Sequence, residues 1–212
     1  CLMRDSGPPI DLSQQLANIA ELDSDLANLL TQHGPPEARQ RPRGFAALLY
    51  IIVEQQVSVA SGQAIWARVK GSGPLEPERY ATLDDETLAG MGLSRPKIRY
   101  ARALARAVLD RSLDVDAIEQ MSDDEARAHM TQVLGIGDWT VDIYLLFSLA
   151  RDDIWPVGDL AVREALREAK GLDERPDAVT MTAIAEPWRP WRSAAAHILW
   201  RHYRWLRAGS RR

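Results

Sequence analysis

The chain has 212 residues, enough for one domain or two closely packed lobes around a real core. Its hydrophobic content of 46% fits a folded globular protein, and no apolar run long enough to span a membrane and no secretory signal pattern stand out. Cys1 is the only cysteine, which excludes an internal disulfide and any Cys-ligated zinc or iron–sulfur site, and the net charge of −4 weighs mildly against a polyanion partner.

In chain order the apolar spacing is helical, and no convincing alternating strand appears. Leu12, Leu16, Ile19, Leu26, Leu29 and Leu30 predict a helical segment over 11–32, stopped by His33-Gly34-Pro35-Pro36. A polar linker over 37–43 ends in Arg41-Pro42-Arg43. Phe45–Val53 is apolar on nearly every side and predicts a buried helix; Ser61–Val69 predicts another, followed by the loop Gly71-Ser72-Gly73-Pro74. Thr82–Met91 predicts a short helix closed by Gly92. Ser94 is placed to cap a helix carrying Ile98, Ala101, Leu104, Ala105, Val108 and Leu109 on one stripe. Ser122-Asp123-Asp124-Glu125 is a capping box, and helices are expected over Trp139–Leu149 and near 160–170, 178–186 and 191–207. The expectation is an all-α protein of about ten helices.

Residues 131–159 carry the most information. Gly135 and Gly137 form a Gly-x-Gly hairpin between two helices; lacking Cβ, they allow a sharp turn and a close backbone approach. The amides that open the next helix point outward with a partial positive charge and suit a phosphate, which positions a protein without reading bases. Trp155-Pro156-Val157-Gly158-Asp159 then presents one carboxylate, which reads either as an N-cap of the following helix or as a chemical group. Asp152 and Asp153 read as solvated, and Asp138 as a helix cap. From Trp188 to Arg212 there are seven Arg and no Asp or Glu, interleaved with Trp188, Trp191, Trp200 and Trp205: an electrostatic footprint for phosphate, or a solvated helix face. His33, His129, His197 and His202 show no metal spacing and read as surface or packing residues.

The hairpin Leu134-Gly135-Ile136-Gly137-Asp138-Trp139-Thr140 followed by the Asp159 loop resembles the helix-hairpin-helix DNA glycosylases. Three more stretches resemble the DNA-3-methyladenine glycosylase II family of that superfamily. They are Ile51-Ile52-Val53-Glu54-Gln55-Gln56-Val57-Ser58, Gly92-Leu93-Ser94-Arg95-Pro96-Lys97-Ile98 and Trp188-Arg189-Pro190-Trp191-Arg192-Ser193. The resemblance implies two helical lobes with the cleft between them, without the N-terminal β-domain of some members. One lobe would be 44–150, including the helix-hairpin-helix at about 122–150; the other would be 1–43 plus 151–212.

For the chemistry, the resemblance implies Asp159 as the catalytic carboxylate and Trp139, Tyr144 and Trp200 as walls of a base pocket. Trp139 stands where bifunctional members carry a Schiff-base Lys, so base removal without strand cleavage is expected. Trp139 also reads as a core aromatic, and Trp200 as an anchor of the last helix. DNA contacts would come from Gln56 as the wedge that replaces the flipped base, Ser58, Leu134, Gly135, Gly137, Thr140 and Arg192; Gln56 also reads as a plain loop residue. The backbone carbonyls of Thr131, Val133 and Ile136 would hold a structural Na+ or K+; no other cofactor is expected. The implied partner is double-stranded DNA containing alkylated bases, with no membrane and no obligate protein partner. The location would be the cytoplasm and nucleoid of a bacterium or the nucleus of a eukaryote. Two other readings remain: a non-catalytic helix-hairpin-helix DNA-binding module, and a glycosylase for another damaged or mismatched base.

Overall fold

The computed structural model describes residues 10–38 and 40–209; Cys1, Arg211 and Arg212 lie outside the described residues. Every regular element among them is helical: twelve α-helices and two short 3-10 turns. The excess over ten comes from one break and one further helix. The 11–32 segment divides into α1 (Ser13–Leu22) and α2 (Ser24–His33) because Asp23 leaves the helix and accepts hydrogen bonds from the amides of Asp25 and Leu26. The predicted Thr82–Met91 helix is the shorter Asp85–Gly90, and a helix that the sequence reading did not mark, Pro77–Thr82, precedes it. The chain divides into two compact units at Gln40/Arg41 and Leu149/Ala150.

The first unit, from Arg41 to Leu149, is built on α3 (Phe45–Glu54), whose Leu48, Leu49, Ile51, Ile52 and Val53 are fully buried. Around it lie α4 (Val59–Gly71), α5 (Pro77–Thr82), α6 (Asp85–Gly90), α7 (Arg95–Leu109), a 3-10 turn (Ala117–Gln120), α8 (Asp123–Met130) and α9 (Asp138–Phe147). Leu83 separates α5 from α6, and Asp84 caps α6 through the Thr87 amide at 2.6 Å. The capping box opens α8 as its residues predict, with Ser122 and Glu125 satisfying each other's backbone. Ser94 sits at the N-cap of α7 but makes no side-chain cap bond. The linker ending at Arg43 is anchored: the Arg41 amide donates to the Phe147 carbonyl, and its guanidinium pairs with Glu54 over the Tyr50 and Phe147 rings.

The second unit adds α10 (Leu160–Ala169), α11 (Ala178–Ala185), a 3-10 turn (Glu186–Trp188) and α12 (Arg192–Gly209) to α1 and α2. Its core joins Ile19, Leu26, Val162, Leu166, Met181, Trp188, Ile198 and Leu199. Asp23 ties several pieces together, accepting from Lys170 Nζ at 2.7 Å and from Trp188 Nε1 at 2.9 Å. Burial pushes the Asp23 carboxyl up, but the Lys170, Leu26 and Trp188 hydrogen bonds outweigh it and hold the carboxyl below its usual range. Among the described residues no helix is long and apolar enough to cross a membrane.

Candidate active site

In the second unit, Pro156 and Gly158 turn the chain, and the Asp159 amide donates to the Pro156 carbonyl at 3.0 Å. Asp159 is buried at the N-terminus of α10, where its Oδ1 accepts from the amides of Ala161 (2.9 Å) and Val162 (3.0 Å). A third donor, Trp200 Nε1, reaches the same oxygen from α12 at 3.1 Å. The N-cap and chemical readings of Asp159 are therefore compatible: the cap bonds fix the carboxylate, and the helix dipole favours its charge. Trp200 is partly exposed, and what it holds is the carboxylate, a role that neither the anchor nor the pocket-wall reading contains. His197 lies edge-on to Trp200, with ring centroids 5.7 Å apart.

Complete burial pushes the His197 pKa down to about 4, with a smaller contribution from Arg204, so the ring is neutral at physiological pH. Its unfolded value is near 6.5, so protonation favours the unfolded chain. Stability from this group is present above about pH 6.5 and falls toward pH 4 by on the order of 3 kcal/mol. Melting temperature followed from pH 7 to pH 4 should show this fall, and His197→Gln should flatten it; an equally steep profile in the variant would assign the acid sensitivity to other groups.

The loop before Asp159 is clamped by the Arg-Pro-Trp-Arg-Ser motif. Ser193 Oγ donates to the Arg151 carbonyl at 2.6 Å and accepts from the Ile154 amide at 2.9 Å, while the Ser193 amide donates to the Asp152 carbonyl at 3.0 Å. Arg192 places Nε 2.6 Å from Asp153 Oδ1 and Nη2 2.9 Å from Oδ2, and Arg189 pairs with the same carboxylate at 2.7 Å. This corrects two expectations: Asp153 is paired, not solvated, and Arg192 commits its guanidinium inside the protein, not to phosphate. Arg201 likewise donates to the His33 carbonyl. Three arginines of the basic C-terminal stretch, Arg189, Arg192 and Arg201, are thus engaged internally. His33 bonds His202 at 3.0 Å, and His202 contacts Glu168; among the described residues no group of three His, Cys, Asp or Glu is placed to hold a metal.

In the first unit the hairpin runs from Thr131 to Gly137. Arg127 on α8 pairs with Asp138 at 3.0 Å and with the buried Asp142, which locks α8 to α9. Asp138 is therefore an ion-pair partner on α9; Gly137 occupies the N-cap, and no side chain caps that end. Gly135 has φ +93, and a Cβ there would lie 2.2 Å from Cγ of Tyr100 on α7. The close approach that Gly135 permits is to this ring. Gly137 is exposed, with nothing within 4 Å of where its Cβ would lie. Leu134 is 58% exposed at the tip, and Trp139 on the first turn of α9 is partly exposed.

Gln56 is exposed between α3 and α4 and holds φ +55, a left-handed conformation uncommon for a residue with a Cβ. Ser58 accepts from the Ser61 amide at 3.2 Å as the N-cap of α4. Gln55 is the residue whose role the sequence did not reveal: its Nε2 donates to the Gly135 carbonyl and to Thr140 Oγ1, both at 2.9 Å, and so joins the loop after α3 to the hairpin. Thr140, expected among the DNA contacts, is buried, and its hydroxyl accepts from Gln55. Tyr144 is corrected too. It is fully buried, and its hydroxyl accepts from the Gly44 amide at 3.0 Å, so it packs the core of the first unit. Lys97 is also structural, donating to the Val53 carbonyl at the end of α3 at 2.7 Å; burial pushes its pKa down.

Residues 49–190, from α3 through the hairpin and the Asp159 loop, match the model of the HhH-GPD superfamily base excision DNA repair proteins. The chain belongs to this superfamily. Among HhH-GPD relatives, DNA-3-methyladenine glycosylase 1 of Schizosaccharomyces pombe is 30% identical over 192 residues, covering 88% of this chain and 84% of the relative. The alkylbase DNA glycosidase-like protein mag2 of the same yeast is 26% identical over 198 residues, covering 90% and 93%. The structure of S. pombe 3-methyladenine DNA glycosylase (Mag1) in complex with abasic DNA superposes with a TM-score of 0.84 at 28% identity, covering 89% of this chain and 95% of that one. The all-α HhH-GPD fold is the one expected from the hairpin and the Asp loop.

Proposed function

We propose that this HhH-GPD protein is a DNA glycosylase that excises alkylated purines of the 3-methyladenine and 7-methylguanine type in base excision repair, by hydrolysis and without cutting the strand. The observation that carries the reading is Asp159, fixed through Oδ1 by two helix amides and the Trp200 indole in a chain whose relatives bear alkylbase glycosylase names. Alkylation at N3 or N7 makes the purine cationic and a good leaving group. As the glycosidic bond lengthens, the sugar gains oxocarbenium character, and a preorganised carboxylate stabilises that charge and orients the water that attacks C1′. The carboxylate needs no reorganisation because its donors already hold it.

The partner is double-stranded DNA. Gly137 and the uncapped amides of α9 would receive a phosphate, with Leu134 beside it, and Gln56 on its strained loop would fill the gap left by the extruded nucleotide. The Trp139 indole would face the base, and a cationic base on its face gains about 0.5–2 kcal/mol. The carbonyls of Thr131, Val133 and Ile136 suit a monovalent cation: Val133 O accepts from the Ile136 amide at 3.0 Å within the turn and, with two lone pairs, retains one for an ion. Such an ion would add positive charge beside the phosphate. A protein with this role works in the nucleoid of a bacterium or the nucleus of a eukaryote.

The test uses a duplex with one hypoxanthine. Trp139 offers no amine, so borohydride should trap no covalent complex, and the product strand should stay intact until alkali is added. A trapped adduct, or cleavage without alkali, would mean that another amine attacks the sugar. In the same assay Gln56→Ala should slow release from duplex more than from a single strand; equal slowing would remove Gln56 from the wedge role.

A further inference from the structure

Helix α7 carries Arg95, Lys97, Arg99, Arg102 and Arg106 and no acidic residue, in a chain of net charge −4. Two of these cations are committed: Lys97 to the Val53 carbonyl, and Arg102 to Asp85 and the Leu83 carbonyl. Arg95, Arg99 and Arg106 are exposed and make no hydrogen bond or ion pair with any described residue. Their spacing of four and seven places them on one stripe of the helix.

Arg95 and Arg99 are placed against local electrostatics. They are like charges four apart, and they lie near the positive end of the α7 dipole, with no acid in the first turn to offset it. An anion arriving from outside relieves both repulsions. The surroundings say which anion. Tyr100, next to Arg99, lies beneath Gly135 of the hairpin, and Lys97, between the two arginines, grips the end of α3 where Gln55 and Gln56 follow. The N-terminal half of α7 therefore borders both the phosphate hairpin and the wedge loop, within one compact unit.

The geometry points to Arg95 and Arg99 as a second phosphate-contacting element beside the hairpin, bound to the backbone of duplex DNA without sequence preference. Among the C-terminal arginines, Arg189 and Arg192 are engaged by Asp153. The role of Arg95 and Arg99 rests on the DNA-binding part of the proposed function and not on base excision.

The experiment measures the affinity of the full chain for a lesion-free duplex from 50 to 300 mM KCl. Each phosphate that is no longer neutralised lowers the slope of log K against log salt by about 0.9. Arg95→Gln/Arg99→Gln should therefore reduce the slope by nearly two and weaken binding most at low salt, with an unchanged circular dichroism melt. Arg95→Gln/Arg99→Lys, which keeps one of the two charges, should recover about half of that reduction. Arg106→Gln, about 10 Å farther along the helix, should leave the slope unchanged. An unchanged slope in the double Gln variant, or an equal effect in Arg106→Gln, would overturn the assignment. A wild-type affinity that does not respond to salt would instead overturn the DNA-binding reading itself.

Discussion

Gly135→Ala should cost the protein most of its hairpin, while Gly137→Ala, two residues on, should leave the fold intact. At Gly135 an added methyl meets Cγ of Tyr100 at 2.2 Å and Cβ at 2.5 Å, so it strikes the ring where it joins the backbone and cannot be accommodated by a flexible tip. The backbone there has φ +93, which L side chains rarely adopt. Overpacking of about 1–3 kcal/mol and a left-handed penalty of about 1–2 kcal/mol together predict a loss of roughly 2–5 kcal/mol. For a protein of this size that lowers the melting temperature by roughly 5–20 °C. At Gly137 nothing lies within 4 Å of the new methyl, and an alanine N-cap costs only about 1 kcal/mol. There the methyl should obstruct a phosphate approaching the α9 amides. Loss of one charge-assisted hydrogen bond, about 1.5–3 kcal/mol, predicts binding weaker by tenfold or more. Thermal melts and duplex binding of both variants separate the two roles. A Gly135→Ala protein that melts like wild type would show that Tyr100 yields, and a Gly137→Ala protein that binds like wild type would remove those amides from the interface.

Much of the scaffold is legible in the sequence because it rests on local chemistry. Asp and Ser N-caps, Pro and Gly punctuation and the 3.6-residue apolar period mark most helix ends within a few residues. The hairpin and the Asp159 loop are visible for the same reason. What is not legible depends on partners far along the chain. Arg192 looks like a phosphate ligand until Asp153, 39 residues earlier, is found on it. Tyr144 looks like a pocket aromatic until the Gly44 amide, 100 residues away, is found on its hydroxyl. Thr140 and Gln55 are joined across 85 residues. Within an apolar helix such as α9, periodicity cannot say which aromatic meets solvent. The basic stripe of α7 is present in the sequence as five cations without an acid, but a net charge of −4 and the arginine-rich end of the chain point elsewhere.

Asp159→Asn is the second change of large effect and bears on the catalytic assignment itself. Asparagine caps a helix about as well as aspartate, and its carbonyl oxygen can keep the bonds from Ala161, Val162 and Trp200. Fold and DNA affinity should therefore survive while the charge is removed. The loss of a preorganised electrostatic stabiliser costs on the order of 10²–10³ in rate. It should be largest for a neutral lesion such as hypoxanthine and smaller for 3-methyladenine, whose cationic base departs readily. The decisive measurement is single-turnover release of free base by wild type and Asp159→Asn from duplexes carrying each lesion. Release by the wild type is expected, with a folded, DNA-binding variant slowed at least a hundredfold on hypoxanthine. A variant within a few-fold of wild type on both lesions would place the catalytic carboxylate elsewhere, and a wild type that binds DNA but releases neither base would make the protein a binding module.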